Sequence, residues 1–184
     1  MMKPVENRKP FGRRSLLVCL LLLTFWNAAA AQDGGATAAA RANEKPLLSV
    51  GGEVARPVRL TAAEWAKLPR LSVRAKDHDG KETEFEGVEL AEVLRLAGVK
   101  LGGHMHGKEL ANYLVVEAAD GYKVVFALPE LDSASVGRVV LLADRSGGKP
   151  LAADEGPLRI VIGGGDKQQG RWARQVVSLV VRKS

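Results

Sequence analysis

The chain has 184 residues with 27 Lys and Arg against 21 Asp and Glu, a formal net charge of +6, and a single cysteine, Cys19. Five of those basic residues (Lys3, Arg8, Lys9, Arg13, Arg14) and one acid (Glu6) precede Gln32, so the remainder carries 22 against 20 and a charge of only +2. That balance excludes a general nucleic-acid or membrane-surface binder, and the length suits one domain with one core.

The first 31 residues read as a secretory signal peptide: a basic start, an apolar run from Leu16 to Trp26, then the small residues Ala28 to Ala31. The run is too short for a membrane span of roughly twenty residues. Cleavage is expected near Ala31, which gives a periplasmic or secreted protein. Arg13 and Arg14 form a twin arginine, so both export routes stay open. Cys19 lies in the apolar run and leaves with it, so the mature chain has no disulfide and no thiolate.

Residues 32–45 are Ala, Gly and charge without periodicity, a flexible tether, and the fold is expected from Pro46 to Ser184. LLSVGGEVARPVRL predicts two short strands with a bend at Gly51, Gly52 and Pro57. Thr61 followed by Glu64 is a capping box opening a short helix that Pro69 ends, with Trp65 as a core anchor. RLSVRAKDHDGKETEFEGV predicts a hairpin turning at Asp79 and Gly80. In ELAEVLRLAGV, Leu90, Val93, Leu94 and Ala97 recur at helical spacing and Gly98 stands where a helix-ending glycine belongs. A glycine-rich loop follows, then two strands around Asp120-Gly121, one helical turn at PELDS, and the strand RVVLLAD ending at Gly147-Gly148. Two apolar runs close the chain, Leu158 to Ile162 and Val176 to Val181, joined by Gly163 to Gly165 and the basic aromatic turn Gly170-Arg171-Trp172. On the residues alone that connection reads either as a hairpin-like turn with Arg171 in water or as a loop whose amides and cation face an anion. Many short strands with two or three short helices predict an α+β domain, mainly β.

Few residues carry an obvious chemistry. His104 and His106 flank Met105 and, with His78 or a carboxylate, are the candidate metal ligands. The serines lack a G-x-S-x-G setting, and the Gly163 to Gly165 run is not a phosphate-binding Walker loop.

The ordered series V-G-G-x-V with L-T, L-P, F-E-G-V-x-L-x-x-V-L-x-x-A-G, D-G-Y, G-K-P-L, G-P-L-R and G-R-W, spread from Leu48 to Val181, resembles the molybdopterin-binding domain of the sulfite oxidase family. The resemblance implies twisted sheets around a buried pterin. It implies that Tyr122 stands at the substrate oxyanion pocket, and that Arg159, Gly170, Arg171 and Trp172 hold the cofactor, with molybdopterin as the cofactor of the family. It also implies a metal-ligating cysteine near Ala75, where this chain has alanine. The reading that follows is an exported binding or accessory module for a pterin, another anion or a redox partner protein, without catalysis at a cysteine-ligated molybdenum. Two alternatives remain open: a molybdopterin-dependent oxidoreductase with an unusual metal site, and a structural accessory protein of an exported electron-transfer system.

Overall fold

The computed structural model describes residues 45–77, 80–164 and 169–184. The predicted signal peptide, nearly all of the tether, His78, Asp79 and Gly165 lie outside the described residues. Among the described residues, no helix is long and apolar enough to cross a membrane.

Among the described residues, ten strands form two sheets. In the first, β2 (Val58–Leu60), β1 (Leu48–Gly52), β10 (Val176–Arg182), β5 (Tyr113–Ala118) and β6 (Lys123–Ala127) lie side by side in that order. The β1–β10 pair is parallel and the others are antiparallel, so the two ends of the domain meet at the sheet centre. In the second sheet, β3 (Leu71–Lys76), β4 (Glu82–Glu89), β7 (Val140–Ser146) and β8 (Lys149–Pro150) follow one another, and β9 (Arg159–Ile162) also pairs with β7. Apolar side chains from both sheets join in one core, including Leu48, Phe85, Leu114, Phe126, Leu142 and Leu179. The mainly β, α+β class expected from the sequence is the class observed.

Among the described residues there are three short α-helices: α1 (Ala62–Trp65), α2 (Leu90–Leu96) and α3 (Ser133–Val136). The predicted capping box is present at α1, where Glu64 N–H donates to Thr61 Oγ1 at 3.3 Å and Thr61 N–H donates to Glu64 Oε2 at 3.0 Å. These bonds satisfy helix-end amides that would otherwise lack partners. Trp65 is buried, and its indole N–H donates to Asp144 Oδ2 at 2.7 Å, tying α1 to β7. Helix α2 buries Leu90, Val93 and Leu94, and Gly98 follows it at φ 76°.

Close contact fixes one glycine by space rather than by φ. Gly87 sits at the irregularity between β4 and β7, where a Cβ would lie 2.0 Å from the Leu142 carbonyl oxygen and 2.6 Å from Ala143 Cα. No side chain fits there unless the strands part.

The structure departs from the sequence reading at the last two strands. They are not a hairpin: β9 pairs with β7 in one sheet, while β10 lies between β1 and β5 in the other. All four β9 residues are buried, and β10 buries Val176, Leu179 and Val181. Each run therefore demands burial that a two-stranded ribbon could not provide. The Gly107–Ala111 part of the predicted glycine-rich loop forms a 3-10 turn, as does Gly102–His104.

Candidate functional site

The loop that crosses from β9 to β10 passes over a cavity of about 770 Å³ lined by Asp77, Asp120, Tyr122, Asp154, Arg159, Gln169, Gly170 and the Trp172 to Gln175 run. A volume of this size suits a small-molecule site. Its residues come from the end of β3, the β5–β6 turn, the segment before β9 and the crossing loop, so they are distant in sequence and meet only in the fold.

Arg159 is the floor. It is the first residue of β9 and is 2% exposed. Its Nη1 donates to Glu155 Oε1 at 2.6 Å, and its Nη2 donates to Asp77 Oδ1 at 3.2 Å. The guanidinium carbon lies 5.2 Å from the Phe85 ring centre and 5.7 Å from that of Trp172. A buried charge needs partners, and two carboxylates and two aromatic faces supply them. Its Nε is buried with no hydrogen-bond partner among the described residues, and so is the indole N–H of Trp172.

Around this floor the crossing loop is tied down by its own hydrogen bonds. The Tyr122 hydroxyl donates to the Gly170 carbonyl at 2.6 Å, and Gln169 Nε2 donates to the Lys76 and Asp77 carbonyls at 3.1 Å. Gln175 is held at φ 49°, a conformation that costs a non-glycine residue about 1–3 kcal/mol. Its backbone N–H donates to the Glu155 carbonyl, its carbonyl accepts from Ala119 N–H, and its Nε2 donates to the Ala153 carbonyl at 3.0 Å. These bonds lock together three segments of the cavity wall.

Of the residues singled out in the sequence, Tyr122, Arg159, Gly170 and Trp172 line this one cavity. Arg171 points elsewhere. Its guanidinium stacks 4.3 Å from the Phe126 ring centre, and its Nη2 lies 3.0 Å from Glu130 Oε1, within ion-pair distance but not aligned as a hydrogen bond. Neither the solvated turn nor an anion-facing cation describes it; it joins the crossing loop to the turn after β6. His104 and His106 are exposed on either side of the buried Met105, and no group of three metal-ligating side chains occurs among the described residues.

Asp120, Asp154, Gln169 and Gln175 carry no motif, and sequence reading missed them. The D-G turn at Asp120 was visible, but nothing local indicated that the turn would face Arg159.

Residues 36–184 match the family described as the oxidoreductase molybdopterin binding domain. The chain belongs to that family. Among solved structures its fold is similar to that of the sulfane dehydrogenase SoxCD from Paracoccus pantotrophus, with a TM-score of 0.56 and 21% identity over 74% of this chain. The match covers only 38% of the SoxCD chain. No curated protein sequence matches.

The cofactor the family name implies can be tested against these residues. Strand alternation puts Val73 and Ala75 on one face of β3, and Asp77 follows its last residue. A Cβ at Gly163 would come within 2.9 Å of the Val73 side chain, and Asp77 reaches Arg159. Ala75 between them is 5% exposed, and it offers no ligand. None of the described lining residues has a sulfur donor, the soft ligand that molybdenum takes from the protein in the family resembled. Among the described residues, three aspartates line the cavity against two guanidiniums, and that of Arg159 is already paired with Asp77 and Glu155. The described lining thus does not fit a cysteine-ligated molybdenum carrying a phosphate-bearing pterin.

Proposed function

We propose that this chain is an exported, non-catalytic binding or accessory module built on the sulfite-oxidase-type fold, working without a cysteine-ligated molybdenum. The observation that carries the proposal is Ala75, a buried alanine of β3 at the position where the resemblance expects the thiolate. Cys19, the one cysteine in the sequence, falls in the apolar leader run and cannot serve. What remains is a cavity whose described walls are bonded to one another, which favours holding a ligand over oxygen transfer at a metal. Export is supported by the basic, apolar and small-residue order of the first 31 residues.

The test is elemental analysis, with pterin fluorescence after oxidation, on protein purified from the compartment it occupies in its native cell. The expected molybdenum content is far below one per chain. A content near one per chain would overturn the proposal and leave the alternative, an oxidoreductase with an unusual metal site.

A further inference from the structure

We propose that β6, the open end of the first sheet, pairs antiparallel with β6 of a second copy of this chain, about a two-fold axis through Val125. The proposal goes beyond the binding-module reading and holds whichever way the molybdenum assay falls.

Strand β6 ends its sheet and has β5 as its one strand neighbour. The Ala118 N–H donates to the Tyr122 carbonyl at 2.9 Å, and the Leu128 N–H donates to the Asn112 carbonyl at 3.0 Å. Bonded and non-bonded residue pairs alternate along an antiparallel ladder. Between those two bonds, therefore, Val124 and Phe126 bond to β5, while the backbone groups of Lys123, Val125 and Ala127 face away from it. Glu130 Oε1 accepts the Ala127 N–H at 2.9 Å, but among the described residues the N–H and C=O of Val125 meet no partner. The other sheet ends are blunted in the ways that exposed edges usually are. Strand β2 is short and follows Pro57, β8 is a two-residue strand ending in Pro150, and β3 exposes Arg74 and Lys76. Strand β6 has no proline and carries at its centre Val125, which at 56% is more exposed than any other large apolar side chain described.

Charge and side-chain pattern make this edge complementary to itself. A two-fold axis at Val125 lets the two Val125 residues exchange N–H to carbonyl bonds, and it sets Lys123 against the partner's Ala127. Lys123 then stands beside the end of β6 where the Glu130 carboxylate caps the edge, so a cation meets an anion at both ends of the pair. The parallel arrangement would set Lys123 against Lys123. On the outer face of the sheet, Val125, Val115 and Val180 lie opposite one another on β6, β5 and β10. Joining two copies runs this valine row through both sheets and covers Val125, the part of it most open to water.

Sedimentation equilibrium of the full mature chain should show a monomer–dimer equilibrium with a dissociation constant below about 200 µM, the weak range suited to a small interface. Val125→Lys places like charges opposite each other at the axis and should weaken the dimer at least about tenfold, with the melt of the dilute monomer unchanged. Val125→Pro removes an N–H that β5 does not use, a change an edge strand tolerates, and should weaken it as much. The register has its own test, because the chain from Gln32 onward holds no cysteine. Directly opposed residues have Cα atoms about 5.5 Å apart, within disulfide reach. Val125→Cys should therefore cross-link into a covalent dimer under mild oxidation faster than Val177→Cys, an exposed control on the same sheet. The proposal fails if the chain is monomeric at about 200 µM, if the dimer survives both Val125→Lys and Val125→Pro unweakened, or if Val125→Cys cross-links no faster than the control.

Discussion

Replacing Arg159 with methionine tests whether the floor of the cavity is structural. The guanidinium is 2% exposed and makes one 2.6 Å bond to Glu155 and a 3.2 Å bond to Asp77, whose side chains are 17% and 23% exposed. Methionine fills much of the same volume against Phe85 and Trp172, so packing loss is small and the main cost is two carboxylates left without their cation. Removing one partner of a buried pair costs about 3–5 kcal/mol, and Arg174 at 3.6 Å still answers part of the Glu155 charge, which places the loss near 3 kcal/mol. For a domain of this size that is a fall of about 6–12 °C in melting temperature. Circular dichroism melts and urea titration would measure it, the latter showing a lower midpoint at unchanged slope. Adding Glu155→Gln should recover about half the loss, because it removes one of the stranded charges, although each substitution alone destabilises. A loss under about 1 kcal/mol, or strictly additive costs in the double variant, would refute the view that Arg159 is held by its carboxylates.

Two further outcomes follow from other parts of the fold. Gly87→Ala should cost about 3 kcal/mol or abolish soluble expression, since the new methyl group meets the Leu142 carbonyl at 2.0 Å, and chemical denaturation showing wild-type stability would contradict that geometry. Asp144 offers a pH signature: burial raises its pKa, but hydrogen bonds from the Arg70 guanidinium and the Trp65 indole overcome this and hold it below the ordinary 3.8. A depressed carboxylate contributes stability that is present above its unfolded value and lost as pH falls through the folded one. The wild type should therefore lose this contribution below about pH 4, and Asp144→Asn, at a neutral-pH cost of about 1–2 kcal/mol, should flatten that part of the acid limb. An unchanged acid limb in the variant would show that the Arg70–Asp144–Trp65 contact contributes nothing to acid sensitivity.

Local features were legible in the sequence because they depend on neighbours a few residues apart. The Thr61 and Glu64 capping box, the apolar face of α2 ending at Gly98, and the strand alternation all follow from backbone geometry that the chain cannot escape. The family could be read from the order of its short motifs, and with it four residues that line the cavity. Partner choice was not legible. The runs at β9 and β10 look alike as sequence, and only the demand that each be buried on a sheet sends them to different layers. Arg171 and Arg159 are both arginines in basic, apolar surroundings. Tertiary structure gave one to Phe126 and Glu130 and the other to Asp77 and Glu155. The cavity's charge was decided the same way, by three aspartates from separate segments that no local pattern connects. Secondary structure is written in spacing along the chain, whereas the electrostatics of a site are set by which distant segments the core brings together.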